Sequence, residues 1–135
     1  MLQLTDLNPR RYPVTQVIDS NLLVLYQRLQ AVEALWVKKM GEGVCAGFFC
    51  TSGLRSEAQQ LGLIKAGKST ATHSKHLLGA AADILDEDGA IKKWLTENGQ
   101  ILEANSLWCE AADACPNWVH FQICPPGSGR RWFEP

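Results

Sequence analysis

The stretch that most constrains this chain is 117–124, NWVHFQIC. A strand sends successive side chains to opposite faces. Trp118, His120 and Gln122 therefore share one face, and Val119, Phe121 and Ile123 the other. A sheet that keeps one apolar and one polar face is implied. Upstream, Leu22, Leu25, Tyr26, Leu29, Val32 and Trp36 recur at three- and four-residue steps. That spacing predicts an amphipathic helix ending near Met40 and Gly41, with Asp19, Ser20 or Asn21 as its N-cap.

Between these two segments the sequence alternates element types. The apolar run over 44–51 reads as a buried strand closed by a turn at Ser52-Gly53. Ser56 is placed to cap a short helix. Residues 64–75 are small and polar and read as a loop, and 80–86 reads as a strand. Asp88 is expected to cap a helix carrying Ile91, Trp94 and Leu95 that stops at Asn98-Gly99. Leu107, Trp108 and Cys109 suggest a short strand, and the tail from Pro125 is turn-rich. The order predicts one small α+β domain over residues 1–135, an antiparallel sheet flanked by helices. Trp36 and Trp94 are expected in its core, and Trp132 in the tail.

Composition narrows the function classes. Lys+Arg of 13 against Asp+Glu of 14 gives a formal charge of -1, which argues against a protein that grips nucleic acid. No run approaches the ~20 apolar residues of a membrane helix. The N-terminus lacks the basic start, apolar stretch and small-residue site of a secretory signal. Synthesis in the cytoplasm is the expectation. The five cysteines, Cys45, Cys50, Cys109, Cys115 and Cys124, are odd in number and form no C-x-x-C pair. Neither a disulfide framework nor a thiolate zinc knuckle is indicated, and reduced buried thiols are expected.

The residues that carry chemistry are few. His76 lies at a loop end, Asp83 follows seven residues later inside a strand, and His120 lies on the alternating strand. Two imidazoles and a carboxylate form a common set for a hydrolytic zinc ion, with the fourth position open to water. They can converge if the chain turns at Gly79 and the strand of His120 lies beside that of Asp83. His73 is a further candidate of lower rank, as a loop histidine is usually solvated.

Ser74-Lys75-His76-Leu77-Leu78-Gly79-Ala80-Ala81-Ala82-Asp83 matches an S-x-H-x-x-G-x-A-x-D signature. The segment resembles the zinc D-alanyl-D-alanine carboxypeptidase family, which shares its fold with the hedgehog signalling domain. Ser52-Gly53-Leu54-Arg55-Ser56 is similar to that family's S-G-x-R-S segment, and Trp118-Val119-His120 to its W-x-H segment. The tail resembles that of short phage-encoded members. The resemblance implies zinc held by His76, Asp83 and His120. It implies that Arg55 faces the substrate, orienting a carboxylate or stabilising an oxyanion, and that Ser74 fixes the loop. It further implies a peptidase acting on peptidoglycan peptides. A monomer with no nucleic acid partner and no membrane insertion is the expectation. The protein would reach the wall by holin-type release or as a virion component.

One departure stands out. Many relatives carry Glu or Asp three residues before the last histidine ligand; here that residue is Asn117. An amide cannot serve as a general base at neutral pH. Glu110, at a strand end, is the preferred substitute, ahead of Asp113 in a loop. Gln122 shares the face of His120 and is expected to touch substrate or orient a ligand, and Trp118 to wall the cleft. Asn117 also keeps open a non-catalytic zinc- or wall-binding module. A thiol enzyme built on Cys109 or Cys115 is a third, weaker alternative.

Overall fold

The computed structural model describes residues 1–44 and 46–135 and is built on one five-stranded sheet. Strands β1 (Cys50–Ser52), β2 (Ala81–Leu85), β3 (Trp108–Glu110), β4 (Trp118–Gln122) and β5 (Trp132–Phe133) lie in the order β1-β2-β4-β3-β5. The two central strands pair antiparallel in unbroken register from Ala81↔Gln122 to Leu85↔Trp118. Asp83 stands directly opposite His120. The alternation read in the sequence is realised: Val119 and Phe121 join Ala82 and Ile84 in the core, while His120, Gln122 and Asp83 point the other way.

The apolar face is covered by α1 (Gln16–Met40), which buries Leu22, Leu25, Leu29, Val32 and Trp36. Trp36 meets Trp94 of α3 (Ala90–Glu97) with ring centroids 5.1 Å apart. Both indoles are core residues, as their helical spacing implies. A short α2 (Glu57–Lys65) and α4 (Gln100–Ala104) complete the helices. Among the described residues no helix is long and apolar enough to cross a membrane.

Several boundaries differ from the sequence reading, each for a local reason. Helix α1 starts a turn early, because Thr15 accepts from the Ile18 amide and serves as N-cap in place of Asp19, Ser20 or Asn21. At α3 the N-cap position is Gly89, not Asp88. Asp86 carries the work, accepting from the Ile91 and Lys92 amides at 2.9 and 3.0 Å, while Asp88 reaches only Ala90. Asn98-Gly99 does end α3, yet α4 begins at once.

Among the described residues of the strand expected over 44–51, regular strand begins only at Cys50, with the Phe49 carbonyl accepting from Leu85 just before it. Phe48 gives its amide to the Glu33 carboxylate of α1 at 2.6 Å instead of to a strand. Glu33, fully buried, also accepts from Leu2 at 2.8 Å, so one carboxylate ties two chain segments to the helix. Cys45, a residue of that expected strand, lies outside the described residues.

The sheet is also not wholly antiparallel. The tail turns back and β5 runs parallel to β3, with Cys109 donating to Arg131 and Ala111 to Phe133. Trp132 is therefore part of the sheet and packs against the core rather than trailing from it.

Candidate metal centre

Asp83 sits at the middle of β2 and His120 at the middle of β4, both on the face away from α1. His76 arrives from a 3-10 turn, Lys75–Leu78, whose N-cap Ser74 accepts from the His76 amide. The chain then reverses at Gly79, whose φ is +66° and whose Cβ, if present, would lie 2.9 Å from Leu22 of α1. Only glycine meets both demands, and the turn brings His76 over β2. A second glycine, Gly53, lies where a Cβ would collide with the Leu7 backbone; its carbonyl accepts from His76 Nδ1 at 2.9 Å.

The three side chains converge. Asp83 Oδ1 is 2.9 Å from His120 Nδ1 and 3.3 Å from His76 Nε2, and all the ligand atoms lie within 4.8 Å of one another. All three residues are buried.

The ring nitrogens have defined roles. A carbonyl only accepts, so His76 Nδ1 carries the proton toward Gly53 and its Nε2 presents a lone pair. Gln122 donates to the Cys124 carbonyl at 2.7 Å, which turns its Oε1 toward His120 Nε2 at 3.1 Å. His120 Nε2 is then the donor, and Nδ1 of the neutral ring presents its lone pair to Asp83. Two lone pairs and a carboxylate oxygen thus face one point. Only a shared proton or a cation reconciles them.

The titrations express the same conflict. Burial alone would raise Asp83, but once the rings carry a proton toward it, their hydrogen bonds and charges hold it well below the usual carboxylate range. Burial pushes His76 down, with Asp83 pulling the other way. For His120 burial also acts downward, but the bond to Asp83 and that carboxylate's charge outweigh it, and the imidazole is held up. A divalent ion at that point would take the place of the proton. The donor set, two imidazoles whose second nitrogens are tied and one carboxylate, fits zinc.

The group forms one end of a cleft of about 460 Å³ that Arg55, Lys68, Glu110 and Trp118 also line. Arg55 is held on several sides: Nε donates to Ser52 Oγ at 3.0 Å, Nη1 to Gln60 Oε1 at 3.0 Å, and Nη2 to Asp83 Oδ2 at 3.3 Å. Burial draws its pKa down, and the Asp83 charge opposes that. Glu110 ends β3 with Oε1 3.9 Å from His120 Nε2, and its Oε2 accepts from the Cys115 thiol at 3.2 Å.

The remaining sequence candidates fall elsewhere. Asp113 and Asn117 are exposed, and the Asn117 carbonyl closes the β2–β4 ladder by accepting from Asp86. His73 is exposed and bonds only to Thr72 among side chains. Gln122 is buried beside His120, a place for orienting a ligand rather than meeting substrate. The cysteines described are free. Burial pushes the Cys109 and Cys115 thiols well up, Glu110 adding to it at Cys115, so neither is a thiolate near neutral pH.

Sequence reasoning did not single out Gln60 or Ser52 as the residues that hold Arg55. Gln60 lies one helical turn after the N-cap Ser56, and only that inward position on α2 marks it.

A buried His–Asp–His group on the polar face of a small mixed sheet defines the class: an α+β domain with three side chains that could hold a metal ion at a cleft. No protein-family model and no curated protein matches the chain. Among solved structures, the fold is similar to that of the Serratia marcescens L-Ala D-Glu endopeptidase ChiX, with a TM-score of 0.53. The likeness covers 91% of this chain and 98% of that one at 19% identity, so what the two share is the fold.

Proposed function

We propose that the protein is a zinc-dependent peptidase that cleaves stem peptides of peptidoglycan. The observation that carries this reading is the convergence of His76 Nε2, His120 Nδ1 and Asp83 Oδ1 at a cleft. It occurs in a fold shared with an L-Ala D-Glu endopeptidase. These three residues would hold the ion, which supplies Lewis acidity toward a peptide carbonyl and toward water. The chain's own groups do the rest. Arg55, fixed by Ser52, Gln60 and Asp83, presents positive charge to a substrate carboxylate or to the oxyanion. Glu110 is the carboxylate at the cleft that takes a proton from water and returns it to the leaving amine. Trp118 walls the cleft, and Ser74 holds the turn that carries His76. The resemblance of the motifs supports a role in wall breakdown by a phage or prophage.

Asn117 favours a second reading, a zinc-bearing module that binds wall peptides without cutting them, because the position of the relatives' base holds a solvent-exposed amide. Clearing of purified peptidoglycan with and without a chelator, read beside metal analysis, separates the two. The enzyme reading expects chelator-sensitive clearing, stoichiometric zinc, and loss of zinc in His76→Ala, Asp83→Ala and His120→Ala. It expects Glu110→Ala to keep zinc and lose clearing. A zinc-loaded wild type that clears nothing refutes the peptidase and leaves the binding module.

A further inference from the structure

Gln60 is 2% exposed, and its amide is committed on both ends. Nε2 donates to the Ala71 carbonyl at 2.8 Å and to Ser69 Oγ at 3.0 Å. Because that carbonyl only accepts, the amide cannot be turned over, and Oε1 must face Arg55 Nη1 at 3.0 Å. Lys68, Ser69, Thr70 and Ala71 form one wall of the cleft, and Arg55 continues to Asp83 Oδ2, the oxygen turned away from the histidines. A single buried side chain thus stands between the cleft wall and the guanidinium.

We infer that Gln60 is a positioning residue that couples the 68–71 wall of the cleft to the Arg55 guanidinium. In this coupling the loop is pinned by the amide nitrogen and the guanidinium by the amide oxygen. A ligand that shifts the wall then moves Arg55 through Gln60, and loss of the amide oxygen removes the hold on Nη1, leaving those of Ser52 on Nε and Asp83 on Nη2. The effect on turnover rests on the peptidase reading; the coupling itself does not.

Two variants separate the halves. Gln60→Ala removes both sets of bonds. Gln60→Glu keeps an acceptor for Arg55 but turns a carboxylate oxygen toward the Ala71 carbonyl, so the wall is released while the guanidinium stays held. Exchange of the Ala71 amide, which donates to Ser69 Oγ at 3.2 Å, is expected to quicken about tenfold in both variants, the size of one lost hydrogen bond. Exchange in β2 and β4 is expected to stay as in the wild type. The Arg55 Nη1–H resonance is expected to persist in wild type and Gln60→Glu and to be lost to solvent exchange in Gln60→Ala. On stem peptides, kcat/KM is expected to fall about tenfold in Gln60→Ala, mostly through KM, and to recover largely in Gln60→Glu.

Unchanged exchange at the Ala71 amide in either variant overturns the pinned wall. An Arg55 resonance that is lost in both variants, or kept in both, overturns the hold on the guanidinium. A wild type that cleaves no stem peptide defeats the peptidase reading alone, since the exchange and resonance measurements still decide the role of Gln60.

Discussion

Replacing Gln122 by Met should weaken zinc binding while leaving the fold in place. Met matches Gln in length but offers His120 Nε2–H no comparable acceptor. In the native chain Gln122 is 4% exposed, so water does not take over the lost contacts. Two bonds disappear, the one from His120 Nε2 at 3.1 Å and the one to the Cys124 carbonyl at 2.7 Å. The Cys124 loss is felt equally with and without metal and drops out of the affinity. The His120 loss does not, because it is the tie that leaves Nδ1 bare for the ion. An unpaired buried polar group costs about 1–3 kcal/mol. At about 1.4 kcal/mol per tenfold, most of that range corresponds to the roughly 10–100-fold typical of a lost outer-shell partner.

Competition between metal-free protein and a chromogenic zinc chelator measures the affinity directly, and thermal unfolding checks that the variant is folded. Gln122→Glu, which restores an acceptor for Nε2–H, should bind zinc at least as tightly as wild type. A folded Gln122→Met protein within about twofold of wild type would falsify the assignment of His120 Nδ1 as the metal-facing nitrogen.

Two further outcomes follow from a buried carboxylate and a half-buried thiol. Glu33→Ala strands the amides of Leu2 and Phe48 inside the protein. It should lower the unfolding free energy by about 2–4 kcal/mol in urea titrations, with Glu33→Gln intermediate; a loss below about 0.5 kcal/mol would contradict the clamp. Burial, with the charge of Asp83, pushes the Cys50 thiol up to about 12 from 9.0. Between those values the folded chain keeps a proton that the unfolded chain releases. This contribution is whole below pH 9 and is lost as pH rises toward 12. Wild type should therefore lose more stability than Cys50→Ala between about pH 8 and about pH 11, and equal losses would count against it.

The parts of the fold legible in the sequence are those whose partners do not need to be known. Helix α1 shows in the spacing of Leu22, Leu25, Leu29 and Val32, and β4 in the alternation of Trp118 to Ile123, because both patterns are set by a single buried face. Strand β5 was not visible, because two residues become a strand only when Cys109 donates to Arg131 and Ala111 to Phe133 across the sheet. The stretch before Cys50 is apolar enough for a strand, but Glu33, fifteen residues earlier in the chain, takes the Phe48 amide. Capping by Asp86 rather than Asp88 was decided by which carboxylate is buried against the first turn of α3.

At the site, the motif resemblance picked out His76, Asp83 and His120, which the fold brings together. The residues that hold them were less legible. Gly53 acts through a carbonyl and Gln60 through an amide in a short helix, and neither has a spacing that marks it.

Asp83 and His120 face each other across one rung of the β2–β4 ladder. Strand side chains repeat every second residue, so a slip by a single position would carry one of the two into the core. An ion held between them would act as a reversible cross-link. It would close the chain between residues 83 and 120, the segment that contains α3, α4 and β3. Closing such a loop removes freedom from the unfolded chain more than from the folded one. Metal loading would then govern the pairing of the two central strands as well as the chemistry above them, and the first part of the fold to loosen on chelation would be the half of the sheet that this segment supports.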